Sequence, residues 1–107
     1  MGNGIAPRYF DAFDWDPGNA RKNLIKHKVT VSEIEQVFFN PPVRFGEDVQ
    51  HSGGEKRYFA LGLTESRRKL AITFTMRGNR IRIISARDMS RRERRYYEDE
   101  IKTNPPV

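Results

Sequence analysis

Leu70-Ala71-Ile72-Thr73-Phe74-Thr75-Met76-Arg77-Gly78-Asn79-Arg80-Ile81-Arg82-Ile83-Ile84-Ser85-Ala86-Arg87 is the stretch that decides the fold class. Leu70 to Met76 and Arg80 to Ala86 are rich in β-branched and aromatic residues, and Gly78-Asn79 between them predicts a tight hairpin turn. In the second run Ile81 and Ile83 point one way while Arg80 and Arg82 point the other, as strand alternation requires. Upstream, Tyr58 to Thr64 reads as a further strand, separated from the first run by the charged turn Glu65 to Lys69. Before it, Val43 and Phe45 alternate with polar residues, and a polar loop from Gln50 to Glu55 contains two glycines.

Helices flank this sheet. Asp16-Pro17 predicts a helix start, since Asp accepts from orphan amides and Pro loses nothing at the first helical position. That helix runs through Ala20 and Leu24 toward His27. Thr30-Val31-Ser32-Glu33 has capping-box spacing and opens a second helix with Ile34, Val37 and Phe38 on one side, ended by Asn40-Pro41-Pro42. Ser90-Arg91-Arg92-Glu93 is another capping box, and its helix extends to about Lys102. Phe13 to Asp16 alternates apolar with acidic residues and predicts a short first strand. The expected order is β-α-α-β-β-β-β-α: an α+β domain, an antiparallel sheet with two N-terminal helices packed on it and a C-terminal helix. The single domain is expected over 9–103, with 1–8 outside the fold as a disordered or vector-derived leader and 104–107 as a tail.

Composition narrows the chemistry. The 107 residues contain no cysteine and two histidines, His27 and His51, so no disulfide framework, thiolate nucleophile or Cys-based zinc site is available. No apolar run approaches the roughly 20 residues of a membrane span, and no secretory h-region is present. A cytoplasmic protein with no cofactor and no membrane partner is expected. The net charge of +6 is concentrated: Arg77 to Arg95 holds eight arginines and two acids. So local a positive field suits a polyanion or an acidic partner.

The last helix also breaks a local rule. Helix N-termini favour acids, yet Arg91, Arg92, Arg94 and Arg95 crowd its first turns while Glu98, Asp99 and Glu100 lie toward its end. Arg80, Arg82 and Arg87 extend the same patch. Guanidinium matches phosphate with two aligned donors, so RNA or DNA is the inferred ligand, although a carboxylate-rich partner fits the same residues. RNA cleavage needs a base for the 2′-hydroxyl, cations for the phosphorane and an acid for the leaving oxygen. His27, His51, Glu55 and Tyr97 are the acid–base candidates, each with a bland alternative. His27 also suits a helix end, His51 and Glu55 a solvated loop, and Tyr97, like Tyr96, the packing of a helix.

Phe13-Asp14-Trp15-Asp16-Pro17, Asn23-Leu24 with Lys26-His27, Glu55-x-Arg57 with Ala60-Leu61-Gly62, Arg80-x-Arg82-Ile83-Ile84-Ser85-Ala86-Arg87, and Arg91-Arg92-Glu93-Arg94 with Tyr97-Glu98 occur in an order that resembles the BrnT toxin family. The resemblance covers about residues 13–99. It implies a RelE-like fold, metal-independent endoribonuclease activity that arrests translation and growth, and neutralisation by a BrnA-like antitoxin that represses the shared operon. Operator DNA is then contacted only through the antitoxin. The family's motif positions fall on Lys26, His27, Glu55, Arg57, Arg80, Arg82, Arg87 and Glu93, with Tyr97 as the aromatic position. Catalytic roles are expected at His27, Glu55, Arg57, Arg82, Arg87 and Tyr97, and RNA binding at Lys26, Arg80, Arg91, Arg92, Arg94 and Arg95. Lys28-Val29 departs from the Gly that follows the His in many relatives, so the first helix is expected to end differently. A binding module without catalysis, such as a co-repressor of its own operon, remains the rival.

Overall fold

A computed structural model describes residues 12–49 and 54–103. The leader 1–8, His51 and the tail 104–107 lie outside the described residues. The elements are β1 Ala12–Phe13, α1 Pro17–His27, α2 Val31–Phe39, β2 Arg44–Glu47, β3 Tyr58–Leu63, β4 Lys69–Arg77, β5 Arg80–Asp88 and α3 Arg91–Thr103. They form one five-stranded sheet in the order β1-β5-β4-β3-β2. The neighbours β2 to β5 are antiparallel, as the sequence predicts; β1 adds itself parallel to β5.

β1 ends at Phe13, short of the Asp16 expected. After Phe13 the chain leaves the strand because Asp16 is needed as the N-cap of α1, accepting from Gly18 N at 2.8 Å and Asn19 N at 3.2 Å. The β4–β5 turn behaves as read: Arg77 pairs with Arg80, and Gly78 takes φ 61°, the positive value that a two-residue turn beginning with Gly needs. Both capping boxes form. Thr30 Oγ1 accepts from Glu33 N at 3.1 Å while Glu33 accepts from Thr30 N at 2.9 Å. Ser90 and Glu93 exchange the same pair at 3.2 and 2.8 Å.

Two cores lie on opposite faces of the sheet. On the α1–α2 face Ile34, Val37, Leu70, Ile72, Phe74, Ile81 and Ile83 are buried, with Phe38, Phe45 and Tyr58 packed around Phe74 and Phe13 against Phe38. On the other face Tyr97 and Ile101 of α3 cover Leu61, Leu63 and Ala71. α3 is held there by Lys69 Nζ to Glu98 at 2.7 Å and Arg44 to Glu100 O at 3.2 Å.

The inward stripe of α1 differs from the sequence expectation. Leu24 is 48% exposed and Asn23 is buried. The helix lies along the free edge of β5, where backbone polar groups need partners more than apolar surface does. Asn19 Nδ2 donates to Ile83 O at 3.3 Å, and Asn23 Oδ1 accepts from Ala86 N at 3.2 Å. Asn23→Ala leaves a buried amide without an acceptor and is expected to cost about 1–3 kcal/mol, measured by urea unfolding.

The first helix ends at Lys28, a non-glycine residue in the left-handed region at φ 58°, ψ 36°, whose N–H returns to Leu24 O at 3.0 Å. An L side chain is strained there. Lys28→Gly is expected to raise stability by about 0.5–1 kcal/mol, read as a rise of a few degrees in Tm.

Candidate active site

The site is set by one extra residue in β5. β4 and β5 pair one-to-one from Arg77↔Arg80 to Phe74↔Ile83, but Thr73 then faces Ser85 and Ile72 faces Ala86. Ile84 is therefore bulged, and the side-chain phase shifts by one. Ala86 joins Ile81 and Ile83 in the α1–α2 core, and Ser85 and Arg87 turn to the other face with Arg82. Unbroken alternation would have placed Arg82 and Arg87 on opposite faces.

Arg57 reaches this second face from the neighbouring strand. Asp48 N donates to Arg57 O at 2.8 Å and Thr75 Oγ1 donates to Lys56 O at 2.8 Å, so the approach to β3 is fixed beside β4. Strand alternation then puts Arg57 and Phe59 with Thr73 and Thr75. Opposite Phe59 stands Gly46, and the ring lies over it so closely that a Cβ there has no room.

α3 covers only part of this face. Between its first turns and the sheet is a cleft of about 460 Å³. Phe59, Leu61, Ala71 and Tyr96 give it apolar walls; Asp48, Thr73, Arg87, Arg92 and Glu93 give it a polar rim. Arg87 holds Glu93 through two parallel bonds of 2.7 and 2.9 Å. The Arg87 bond is the main reason that the Glu93 carboxyl lies below the usual carboxylate range. Arg82 pairs with Asp14 at 3.4 Å and Asp16 at 3.3 Å. Asp16 is also lowered, mainly by the amides of Asn19 and Gly18 and further by Arg82. Arg91, Arg92, Arg94 and Arg95 are exposed and form no ion pair among the described residues; Arg80 is exposed too.

The structure thus brings Arg57, Arg82 and Arg87 to one face, with Arg80 and the arginines of α3 around it. Glu55 pairs with Arg77, the last residue of β4, at 3.2 Å, and both side chains are half exposed. Tyr97 lies on that face but buried under α3, and His27 lies on the opposite one. Tyr97 is 1% exposed and its hydroxyl donates to Pro42 O at 2.7 Å, with burial pushing its ionisation up. This is a packing position, where the hydroxyl already has its acceptor. His27 ends α1 on the opposite layer, near Asp88, whose carboxyl is held down mainly by Arg68 and further by His27, and exposed Lys26 shares its helix. Among the described residues, no three His, Asp or Glu side chains gather as a metal site would need. No helix among them is long and apolar enough to cross a membrane.

Sequence reasoning missed Arg68, which looks like one more charge in a turn. Its guanidinium binds Asp88 at 2.7 and 3.2 Å, Glu33 at 3.2 Å, and the carbonyls of Lys28 at 2.8 Å and His27 at 3.1 Å. No spacing signal announces a contact across 20 to 41 residues. The cleft did leave one trace, since Thr73 interrupts an apolar run and lines the cleft, whereas Thr75, two residues on, is buried and donates to Lys56 O.

The five-stranded sheet, with helices on both faces and arginines gathered beside a half-apolar cleft, defines a small α+β protein with a cationic surface. Residues 15–93 match the model of the BrnT ribonuclease toxins of type II toxin–antitoxin systems, and the chain belongs to that family. The structure resembles the crystal structure of the Brucella abortus ribonuclease toxin BrnT, with a TM-score of 0.57 and 19% identity over 75% of this chain and 97% of that one. No curated protein sequence matches. Family membership makes the protein a ribonuclease toxin with an RNA substrate and an antitoxin partner.

The carboxyls of Glu33, Asp88 and Glu93 all lie below their ordinary values, so the unfolded chain takes up protons first as pH falls. Their contribution to stability is complete above the ordinary carboxylate range near pH 4 and is lost as pH falls through and below it. Urea midpoints measured from pH 6 to pH 2.5 are expected to drop in that window, and less steeply for Asp88→Asn.

Proposed function

We propose that RNA is cut on the cleft face of the sheet, with Arg57, Arg82 and Arg87 holding the scissile phosphate and Glu55 taking the 2′-hydroxyl proton. The observation that carries this reading is the bulge at Ile84, which turns Arg87 onto the face that holds Arg57 and Arg82. The deprotonated 2′-oxygen attacks the adjacent phosphorus and the bond to the 5′-oxygen breaks. The products are a 2′,3′-cyclic phosphate and a 5′-hydroxyl. Three guanidinium groups stabilise the charge that gathers on the phosphorane oxygens. The leaving oxygen takes its proton from solvent, to which the cleft is open; Tyr97 is engaged with Pro42, and His27 lies across the sheet. Arg80 and Arg91 to Arg95 carry the flanking RNA. The antitoxin covers part of this patch in the cytoplasm and alone brings the toxin to operator DNA. Every group in this scheme is a side chain, so cleavage is expected without a metal.

Purified, antitoxin-free protein is expected to cut labelled RNA in EDTA and to leave cyclic phosphate ends. Arg57→Ala and Arg87→Ala are expected to lose about 100-fold or more, while Tyr97→Phe loses about 1 kcal/mol of stability and keeps cleavage. Folded Arg57→Ala and Arg87→Ala proteins that cut at the wild-type rate would overturn the site. RNA that is bound in a steeply salt-dependent way yet stays intact, with ribosomes present or absent, would favour the docking module.

A further inference from the structure

Half of the cleft is not suited to phosphate. Its floor is Leu61 and Ala71, and its walls are the rings of Phe59 and Tyr96. Tyr96 and Tyr97 are consecutive on α3 but do opposite things. Tyr97 is buried and bonded, whereas Tyr96 is 47% exposed at the mouth of the cleft. Exposed aromatic surface that borders a cationic rim fits a ligand that has flat apolar faces and carries its charge on the linkage between them. A free phosphate or an acidic peptide would engage Arg87 and Arg92 and leave the aromatic wall unused.

We propose that this cleft takes one unpaired base of single-stranded RNA, stacked on Tyr96, with the adjoining phosphate at Arg92. The volume of about 460 Å³ lies in the roughly 300–1,000 Å³ range of small-ligand pockets. Stacking on an aromatic side chain is the common way to hold an unpaired base, and it tolerates all four bases. Thr73 on the rim supplies a hydroxyl to the base edge, so this is where a sequence preference would arise. A base inside a duplex has both faces occupied and cannot enter. The inference rests on the reading that RNA meets this face, and it adds that the substrate must be single-stranded there.

The test uses the full chain and short 2′-O-methyl oligonucleotides, which lack the attacking hydroxyl and cannot be cut, each with a single 2-aminopurine. Wild-type protein is expected to quench the probe in the single strand and not in the same strand annealed to its complement. Tyr96→Ala is expected to weaken single-strand binding about 5- to 100-fold, with Tyr96→Phe restoring it. Arg92→Ala is expected to lower the salt slope by about one. Equal affinity and quenching for Tyr96→Ala and wild type, or equal quenching of the duplex, would overturn the inference. Because the probe cannot be cut, a wild type that cleaves ordinary RNA but shows no Tyr96 dependence fails the cleft alone. A wild type that quenches but never cleaves fails the nuclease site alone.

Discussion

The free edge of β5 is the constraint on which the rest of the structure depends. One side of this strand is paired with β4 along its length, while among the described residues β1 pairs with the other side at Arg80 and Ile81 alone. Buried backbone beyond that point must find partners elsewhere. Asn19 and Asn23, one turn apart on α1, provide them at Ile83 O and Ala86 N, on either side of the bulge at Ile84. This explains why a polar residue is buried where Leu24 was expected. It also fixes α1 along the edge, with its N-cap Asp16 beside Arg82.

The protein's acids are largely consumed in structure, and that makes its remaining charge useful. Glu33 and Asp88 are bound to Arg68, which joins the end of α1, the start of α2 and the end of β5. Glu93 is bound to Arg87, Glu98 to Lys69, and Asp14 and Asp16 to Arg82. Arg91, Arg92, Arg94 and Arg95 are left without such partners among the described residues. The positive patch is therefore a property of one end of α3 and the sheet face beside it, more than of the total charge.

α3 covers only part of that face. Its C-terminal half seals Leu61, Leu63 and Ala71 under Tyr97 and Ile101; its N-terminal turns stand off and leave a cleft. A ribonuclease toxin of the BrnT family needs an accessible cationic surface for RNA. The half-covered sheet leaves a cationic surface open among the described residues.

The caps at Asp16, Thr30 and Ser90, the turn at Gly78-Asn79 and the element order were all legible in the sequence, because each depends on neighbours a few residues apart. The family was legible for a related reason, since its motifs mark the residues that cap α1, pair with Arg82 and line β5. Three things were decided only by the tertiary structure: β1 running parallel and ending early, the contacts of Arg68, and the burial of Tyr97 under α3 with His27 on the opposite face. The bulge is the deepest of these. Strand alternation alone separates Arg82 from Arg87, and nothing local to Ile83-Ile84-Ser85 says which residue will be skipped. That choice is made by the partner strand β4 and by the two asparagines of α1, more than 60 residues away in the chain. Short-range rules determined the elements, but the phase of β5, and with it the composition of the site, was set by hydrogen bonds that form only after the chain has folded.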